Sequence, residues 1–276
     1  MTTERVTVGS VEIVSVADGV MRAQPAFLFS GIPPEMYTPA LGDDLADDGT
    51  FAVKFGSFLV RSSGRTVLVD TGMGNKNPGS PGGQLLINLR RLGVRPEDVD
   101  VVVNTHLHVD HVGWNCTERD GAYLPTFPNA QYWVSRTEWE FWTDPEIVAE
   151  EGEHIVRDVL PLKDSPQLRL AEGEAAITPE LSLLPTPGHT PGHCSLAVAS
   201  AGERAVILGD VAHHPLHLVR LWIAAIDELP RVSRRTKRAL AERLIQEQAL
   251  VAAGHFTPGS FGRLVLANGR RAWQPL

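Results

Sequence analysis

The chain reads as an α/β protein made of two similar halves, and three observations predict this. Apolar runs of strand length recur at residues 5–17, 51–61, 66–70, 99–103, 131–134, 181–185, 195–199, 205–208 and 249–253. Helical spacing separates them at 84–92, from Ser135 to Leu160, and at 231–248. The order, β-rich stretch, helix, strand, helices, then β-rich stretch, helix, strand again, gives two comparable halves.

Residues 5–17 alternate Val6, Val8, Val11, Ile13, Val14 and Val16 with small or polar partners and break at Gly9-Ser10, predicting a hairpin or two short strands. Residues 22–50 then lose periodicity and collect Pro25, Gly31, Pro33, Pro34, Pro39, Gly42 and an acidic run from Asp43 to Asp48. A long loop is expected there, with Phe27, Leu28, Phe29 and Tyr37 either covering a pocket as a lid or tethering a connection. Strands resume at 51–61 and 66–70 around the turn Ser62-Ser63-Gly64-Arg65. A run of Gly and Pro from Gly72 to Gly83 leads to a helix spaced by Leu85, Leu86, Leu89 and Leu92 and closed by Gly93.

The apolar run Val99 to Val103 opens onto Thr105-His106-Leu107-His108-Val109-Asp110-His111. On extended backbone, side chains two apart share a face, so His106 and His108 can converge on one ion. Asp110 and His111 join only if the chain turns, which puts them at a loop or helix start. Four ligand-type residues at this spacing, at the C-terminal end of a buried strand, outweigh a polar surface loop and form half of a two-metal site.

Further along, Gln131–Val134 reads as a strand and Ser135 as the cap of a helix carrying Glu138, Trp139, Phe141 and Trp142, aromatics that favour the core over a substrate wall. Pro145–Leu160 reads as a second, more polar helix, and Leu168–Leu170 and Ala176–Thr178 as short strands. Leu218–Ile226 is apolar with helical potential. Arg231–Gln248 is an amphipathic basic helix whose charges suit a solvated face. Ala249–Ala253 and Arg263–Ala267 finish as strands.

Composition bounds the function. The 276 residues suffice for a substantial core, and 43 % apolar with 21 % charged residues is ordinary for a globular protein. With 25 Lys and Arg against 33 Asp and Glu, the net charge of −8 argues against nucleic acid as an obligatory partner. Only Cys116 and Cys194 are present, so no disulfide framework is expected. Met1-Thr2-Thr3-Glu4-Arg5-Val6 shows no secretory signal and no stretch is long enough to span a membrane, making the cytoplasm the default expectation.

Three later positions repeat the pattern of an apolar strand followed by a ligand type. The Pro/Gly-rich loop from Pro185 to His193 presents His189, Leu208-Gly209-Asp210 ends in a carboxylate, and Ala253-Gly254-His255 ends in a histidine. Together with the first cluster they supply seven ligands, which suits two ions sharing one carboxylate.

With Asp70 in Leu-Val-Asp-Thr-Gly, the His106/His108/Asp110/His111 cluster, His189, Asp210 and His255, the chain resembles the metallo-β-lactamase superfamily from about residue 50 to residue 256. The resemblance implies a single domain over 1–276 folded as a four-layer αββα sandwich: two mixed sheets face to face, helices on both outer faces, the site on one rim. It implies His106, His108 and His189 on a first metal, and Asp110, His111 and His255 on a second. Asp210 would bridge the two, with Asp70 behind them orienting the site. His193 has no place in the pattern and is taken as structural.

Departures from the family narrow the branch. The common zinc β-lactamases carry Arg where His111 stands and Cys where Asp210 stands. Glyoxalase II continues its cluster with Gly-Gly and adds a helical domain, whereas this chain has Val112-Gly113-Trp114-Asn115. Asp210-Val211-Ala212-His213-His214-Pro215 and Pro128 to Tyr132 resemble the acyl-homoserine lactonase and methyl parathion hydrolase branch.

The expected function is therefore binuclear metal-dependent hydrolysis. Water shared between two cations about 3.5–4 Å apart loses a proton near neutral pH and attacks the substrate. Asp110 or Asp210 would pass a proton to the leaving group, and His213 or His214 would contact the substrate. A lactone is the first expectation, under an apolar cover from residues 27–37 and Trp114; an organophosphate, an aryl ester or a glyoxalase II-type thioester are alternatives. Zinc is the expected metal, with manganese, iron or cobalt as alternatives. The non-hydrolytic rivals are a diiron redox protein, disfavoured without a flavin domain, and an inactive scaffold, disfavoured by the full ligand set. A homodimer is left open.

Overall fold

The structure, a computed structural model, describes residues 4–76 and 79–276. Met1–Thr3, read above for a leader, and Asn77-Pro78 of the Gly/Pro run lie outside the described residues.

The first sheet begins with β1 (Arg5–Val8), β2 (Val11–Ala23), α1 (Ala26–Phe29), α2 (Pro34–Leu41), β3 (Phe51–Ser62) and β4 (Arg65–Val69). It continues through α3 (Leu85–Arg91), β5 (Val101–Val103), α4 (Val109–Val112), the hairpin β6 (Cys116–Arg119) and β7 (Ala122–Pro125), and β8 (Gln131–Ser135). Then come α5 (Arg136–Trp142), α6 (Pro145–Glu151) and β9 (Leu168–Ala171). The second sheet contains β10 (Ala175–Ala176), β11 (Leu181–Pro185), β12 (Cys194–Ser200), β13 (Glu203–Ile207), α7 (Pro215–Val219), α8 (Pro230–Gln246), β14 (Leu250–Ala252), β15 (Phe261–Ala267) and β16 (Arg270–Pro275), its helices lying between strands. The sheet orders are β1-β2-β3-β4-β5-β8-β9 and β10-β11-β12-β13-β14-β15-β16, so two mixed seven-stranded sheets are formed.

The period-two alternation of strands sorts side chains between layers. Val101 and Val103 of β5 point into the core between the sheets, where they join Val67 and Val69 and meet Leu196, Ile207 and Ala252 of the other sheet. Val102 and Leu68 point outwards against Leu85 and Leu89 of α3 and Trp139 and Trp142 of α5. On the opposite face, Val206 and Val251 pack under Leu240, Ala241 and Leu244 of α8. This is the αββα layering expected from the resemblance.

At one end of the sandwich the two layers touch through main chain. A Cβ on Gly56 would lie 2.5 Å from the Gly254 carbonyl oxygen, and one on Gly254 would lie 2.5 Å from the Gly56 carbonyl oxygen. Only glycine permits that approach, one residue before His255.

Several elements differ from the expectation. Residues 22–50 are not an open loop: β2 continues to Ala23, and α1 and α2 follow, α2 starting with Pro34 at its first turn. Leu28, Phe29, Tyr37 and Leu41 are buried against Phe51 and Val53. The long helix expected from Pro145 ends at Glu151, then passes into a π-helical turn at Ile155–Val159 and a 3-10 turn at Leu160–Leu162. Helix α7 stops at Val219, and Leu221 takes a positive φ of 53°, so Leu218–Ile226 is mostly irregular.

Candidate metal centre

Each ligand-type residue sits just past the C-terminal end of a strand. His106 follows β5, and His108 caps α4 with extended backbone at φ −64°, ψ 156°, which places Asp110 and His111 in that helix. His189 lies in the loop between β11 and β12, Asp210 in a 3-10 turn after β13, and His255 after β14. The first sheet thus supplies one cluster and the second sheet the other three residues.

These side chains converge. One atom each of His106, His108, His189 and Asp210 lie within 4.8 Å of one another, as do atoms of Asp110, His111 and His255. Asp210 stands between the groups: Oδ2 is 3.3 Å from His189 Nε2, and Oδ1 is 3.1 Å from His255 Nε2 and 3.3 Å from His111 Nε2. Asp110 Oδ2 lies 3.6 Å from both His111 Nε2 and His255 Nε2. The site is closed except on one side, where the side chains of Asp110, His108 and Glu228 are 18 %, 25 % and 30 % exposed and leave an opening for a substrate.

The far nitrogens of the rings are fixed. His111 Nδ1 donates to Asp70 Oδ2 at 2.8 Å, His255 Nδ1 to the Lys54 carbonyl at 2.7 Å, and His189 Nδ1 to Asp227 Oδ1 at 3.2 Å. In a neutral ring each then turns an Nε2 lone pair inwards. His106 Nε2 and His189 Nε2 lie 3.0 and 2.9 Å from His108 Nδ1. Ring nitrogens gathered so closely, beside a buried Asp210 Oδ1 that accepts no hydrogen bond, are arranged as they would be around cations. The donor set, nitrogen and carboxylate without thiolate, fits divalent metal ions.

Electrostatics agree with that fit. Burial holds His106 well below the ordinary histidine range and brings His189 down to about 4, so both rings are neutral and ready to bind. Burial opposes charge on His111 and His255 too, but the Asp210 carboxylate beside them raises both. Asp210, although buried, is held well below the carboxylate range by those two rings.

Asp70 lies behind His111: its carboxylate accepts from the Thr105 N–H and hydroxyl, each at 2.8 Å, as well as from His111 Nδ1. His193 is structural, its Nε2 accepting the Asp210 N–H at 2.9 Å, and burial lowers it to about 3. Of the two histidines after Asp210, His213 is in the site and His214 is not. His213 Nε2 meets Asp210 Oδ2 at 2.9 Å and its ring stacks on His255. His214 Nε2 instead meets Asp44 at 3.1 Å, and its Nδ1 accepts from Leu216 N–H. Trp114 does not cover the site; it is buried in the outer core and donates to Asp18.

Three supporting acids were not anticipated. Glu138, buried, accepts from Leu107 N–H, Trp142 Nε1, Thr190 Oγ1 and Gly192 N–H, tying the His106/His108 loop to the His189 loop. Asp227 holds His189, and Glu228 reaches within 3.7 Å of His108. Glu138 carried a visible signal, an acid in an apolar helix face; Asp227 and Glu228 carried none.

Residues 57–255 match the metallo-beta-lactamase superfamily. The chain belongs to that superfamily. As a superfamily member it is a metal-dependent hydrolase, and its relatives are consistent in kind. It is 28 % identical over 216 residues to the N-acyl homoserine lactonase AiiA of Bacillus thuringiensis subsp. kurstaki, covering 72 % of this chain and 79 % of that one. To the N-acyl homoserine lactonase AttM of Rhizobium radiobacter it is 32 % identical over 132 residues, 44 % of this chain and 43 % of that one. Among solved structures, the hydrolase AbOPH of the beta lactamase superfamily superposes with a TM-score of 0.87 at 27 % identity, over 99 % of this chain and 97 % of that one. The dizinc quorum-quenching lactonase AidC superposes at 0.84 with 20 % identity over the same shares, a likeness of fold.

Proposed function

We propose that this superfamily member hydrolyses a lactone, at a centre where His106, His108 and His189 would hold one divalent cation and Asp110, His111 and His255 a second, with Asp210 shared between the two groups. The observation that carries the reading is Asp210, buried between the two histidine groups with Oδ2 3.3 Å from His189 Nε2 and Oδ1 3.1 Å from His255 Nε2 and 3.3 Å from His111 Nε2. The lactonase relatives favour the lactone, and the dizinc lactonase AidC favours zinc, which nitrogen and carboxylate donors accept. Two bound cations supply a Lewis acid for the carbonyl and an acidified water.

The protein's own part is positioning and proton handling. Glu138 and Asp70 fix the loops and His111, so the ligand geometry is set before substrate arrives. Asp110, a carboxylate that lines the opening beside His111 and His255, would accept a proton from the attacking water and return it to the leaving oxygen. His213 Nε2 donates to Asp210 Oδ2 and keeps that carboxylate oriented. Phe29 of α1 packs on His214, His217 and Trp222, in the segment that follows Asp210 and His213.

The test is a substrate panel on zinc- and manganese-loaded protein, with N-acyl lactones, aryl esters and phosphotriesters compared by kcat/KM. Lactones are expected to lead. A preference for aryl esters or phosphotriesters would replace the lactone assignment, and inactivity towards all three would remove it.

A further inference from the structure

We propose that Asp227, locked by groups on its far oxygen, fixes the ring proton of His189 on Nδ1, making it the positioning residue that lets Nε2 of His189 face an ion. The inference rests on His189 being a ligand.

Asp227 is buried and its two oxygens have separate duties. Oδ2 receives three donors: the Ala224 N–H at 3.1 Å, the Ser233 hydroxyl at 2.6 Å and the buried Lys237 ammonium from α8. Oδ1 is left for His189 Nδ1. The carboxylate cannot swing away, because the next two residues are pinned to the His189 loop: Glu228 N–H donates to the His189 carbonyl at 3.0 Å and Leu229 N–H to the Gly188 carbonyl at 2.9 Å. A carboxylate can only accept, so the His189 nitrogen facing it must carry the proton, and the opposite nitrogen must not.

This arrangement makes a sharp distinction between two substitutions. In Asp227→Asn the three donors at the Oδ2 position capture the amide oxygen, and the amide NH2 is left facing His189 Nδ1. The ring then adopts the other tautomer, with its proton on Nε2, pointing where the ion would sit. Asp227→Ala removes more atoms and opens a cavity, but it leaves His189 free to take either tautomer. A residue that mattered only for packing would rank these substitutions the opposite way for metal binding.

Wild type, D227N, D227A and H189A are stripped, equilibrated in zinc–chelator buffers, and bound zinc per chain is measured by elemental analysis; metal-free melting is followed by circular dichroism. D227N is expected to hold one of its zinc ions about 10- to 100-fold more weakly than wild type. D227A should melt lower than D227N yet keep that zinc more tightly. H189A should lose the same ion. D227N binding zinc like wild type while H189A loses an ion would overturn the role of Asp227 and leave His189 a ligand. H189A retaining all the zinc would overturn the ligand reading and this inference with it. D227A binding zinc more weakly than D227N would reduce Asp227 to a packing role and overturn it as well.

Discussion

Asp70 adopts a left-handed φ of 59°, a conformation that Asp and Asn tolerate better than other side-chain-bearing residues, and from it accepts from Thr105 and His111. Asp70→Asn keeps the backbone but replaces one acceptor, so a loss of about 10- to 100-fold in zinc affinity is expected with little change in melting temperature. Asp70→Ala should lose both, since alanine is strained at that φ; chelator competition and thermal melts on the two variants separate the effects. At this scale the ligand types themselves were legible, because each follows an apolar strand and strand ends are local patterns. Of their supports, Asp70 shares that pattern, and Glu138 stands out as an acid on an apolar helix face. Asp227 meets His189 across 38 residues of chain, and no local spacing encodes such a meeting.

Helices α1 and α2 show how an element can be hidden by its own punctuation. Pro25, Pro33 and Pro34 read as breakers, but at a helix start proline lacks only an N–H that would be unpaired anyway. Phe29 is fully buried there, with Tyr37, Phe51, His214, His217 and Trp222 around its ring. Phe29→Ala should cost about 3–5 kcal/mol, measured by urea unfolding, as a large aromatic removed from a closed core. Strands β6, β7 and β16, absent from the sequence reading, had a readable cue. Asp120-Gly121 and Asn268-Gly269, both residues at positive φ in each pair, make the two-residue turns of the β6–β7 and β15–β16 hairpins. By contrast, α6 ends at Glu151 with Gly152 as its C-cap, a stop signal obscured by polar helical spacing that runs on to Leu160.

Across the whole molecule, the proposed ligands are divided between the two sheets, so bound ions would act as a clasp on one end of the sandwich. Anything binding only the folded state stabilises it by mass action, about 4 kcal/mol when free metal is a thousandfold above Kd. Stripping metal with a chelator should therefore lower Tm in proportion to the logarithm of free zinc. Hydrogen exchange should quicken most at the ends of β5, β13 and β14, and an apo protein with unchanged Tm and exchange would contradict the clasp. The contact of Gly56 with Gly254 gives that end a further property. Interlayer distance elsewhere depends on the volumes of Val, Leu and Ile side chains, whereas here it is set by peptide against peptide. Substitutions that swell or shrink the apolar interior can accumulate without carrying His255 away from its partners, so the core is free to drift in sequence while the distance across the rim stays the same.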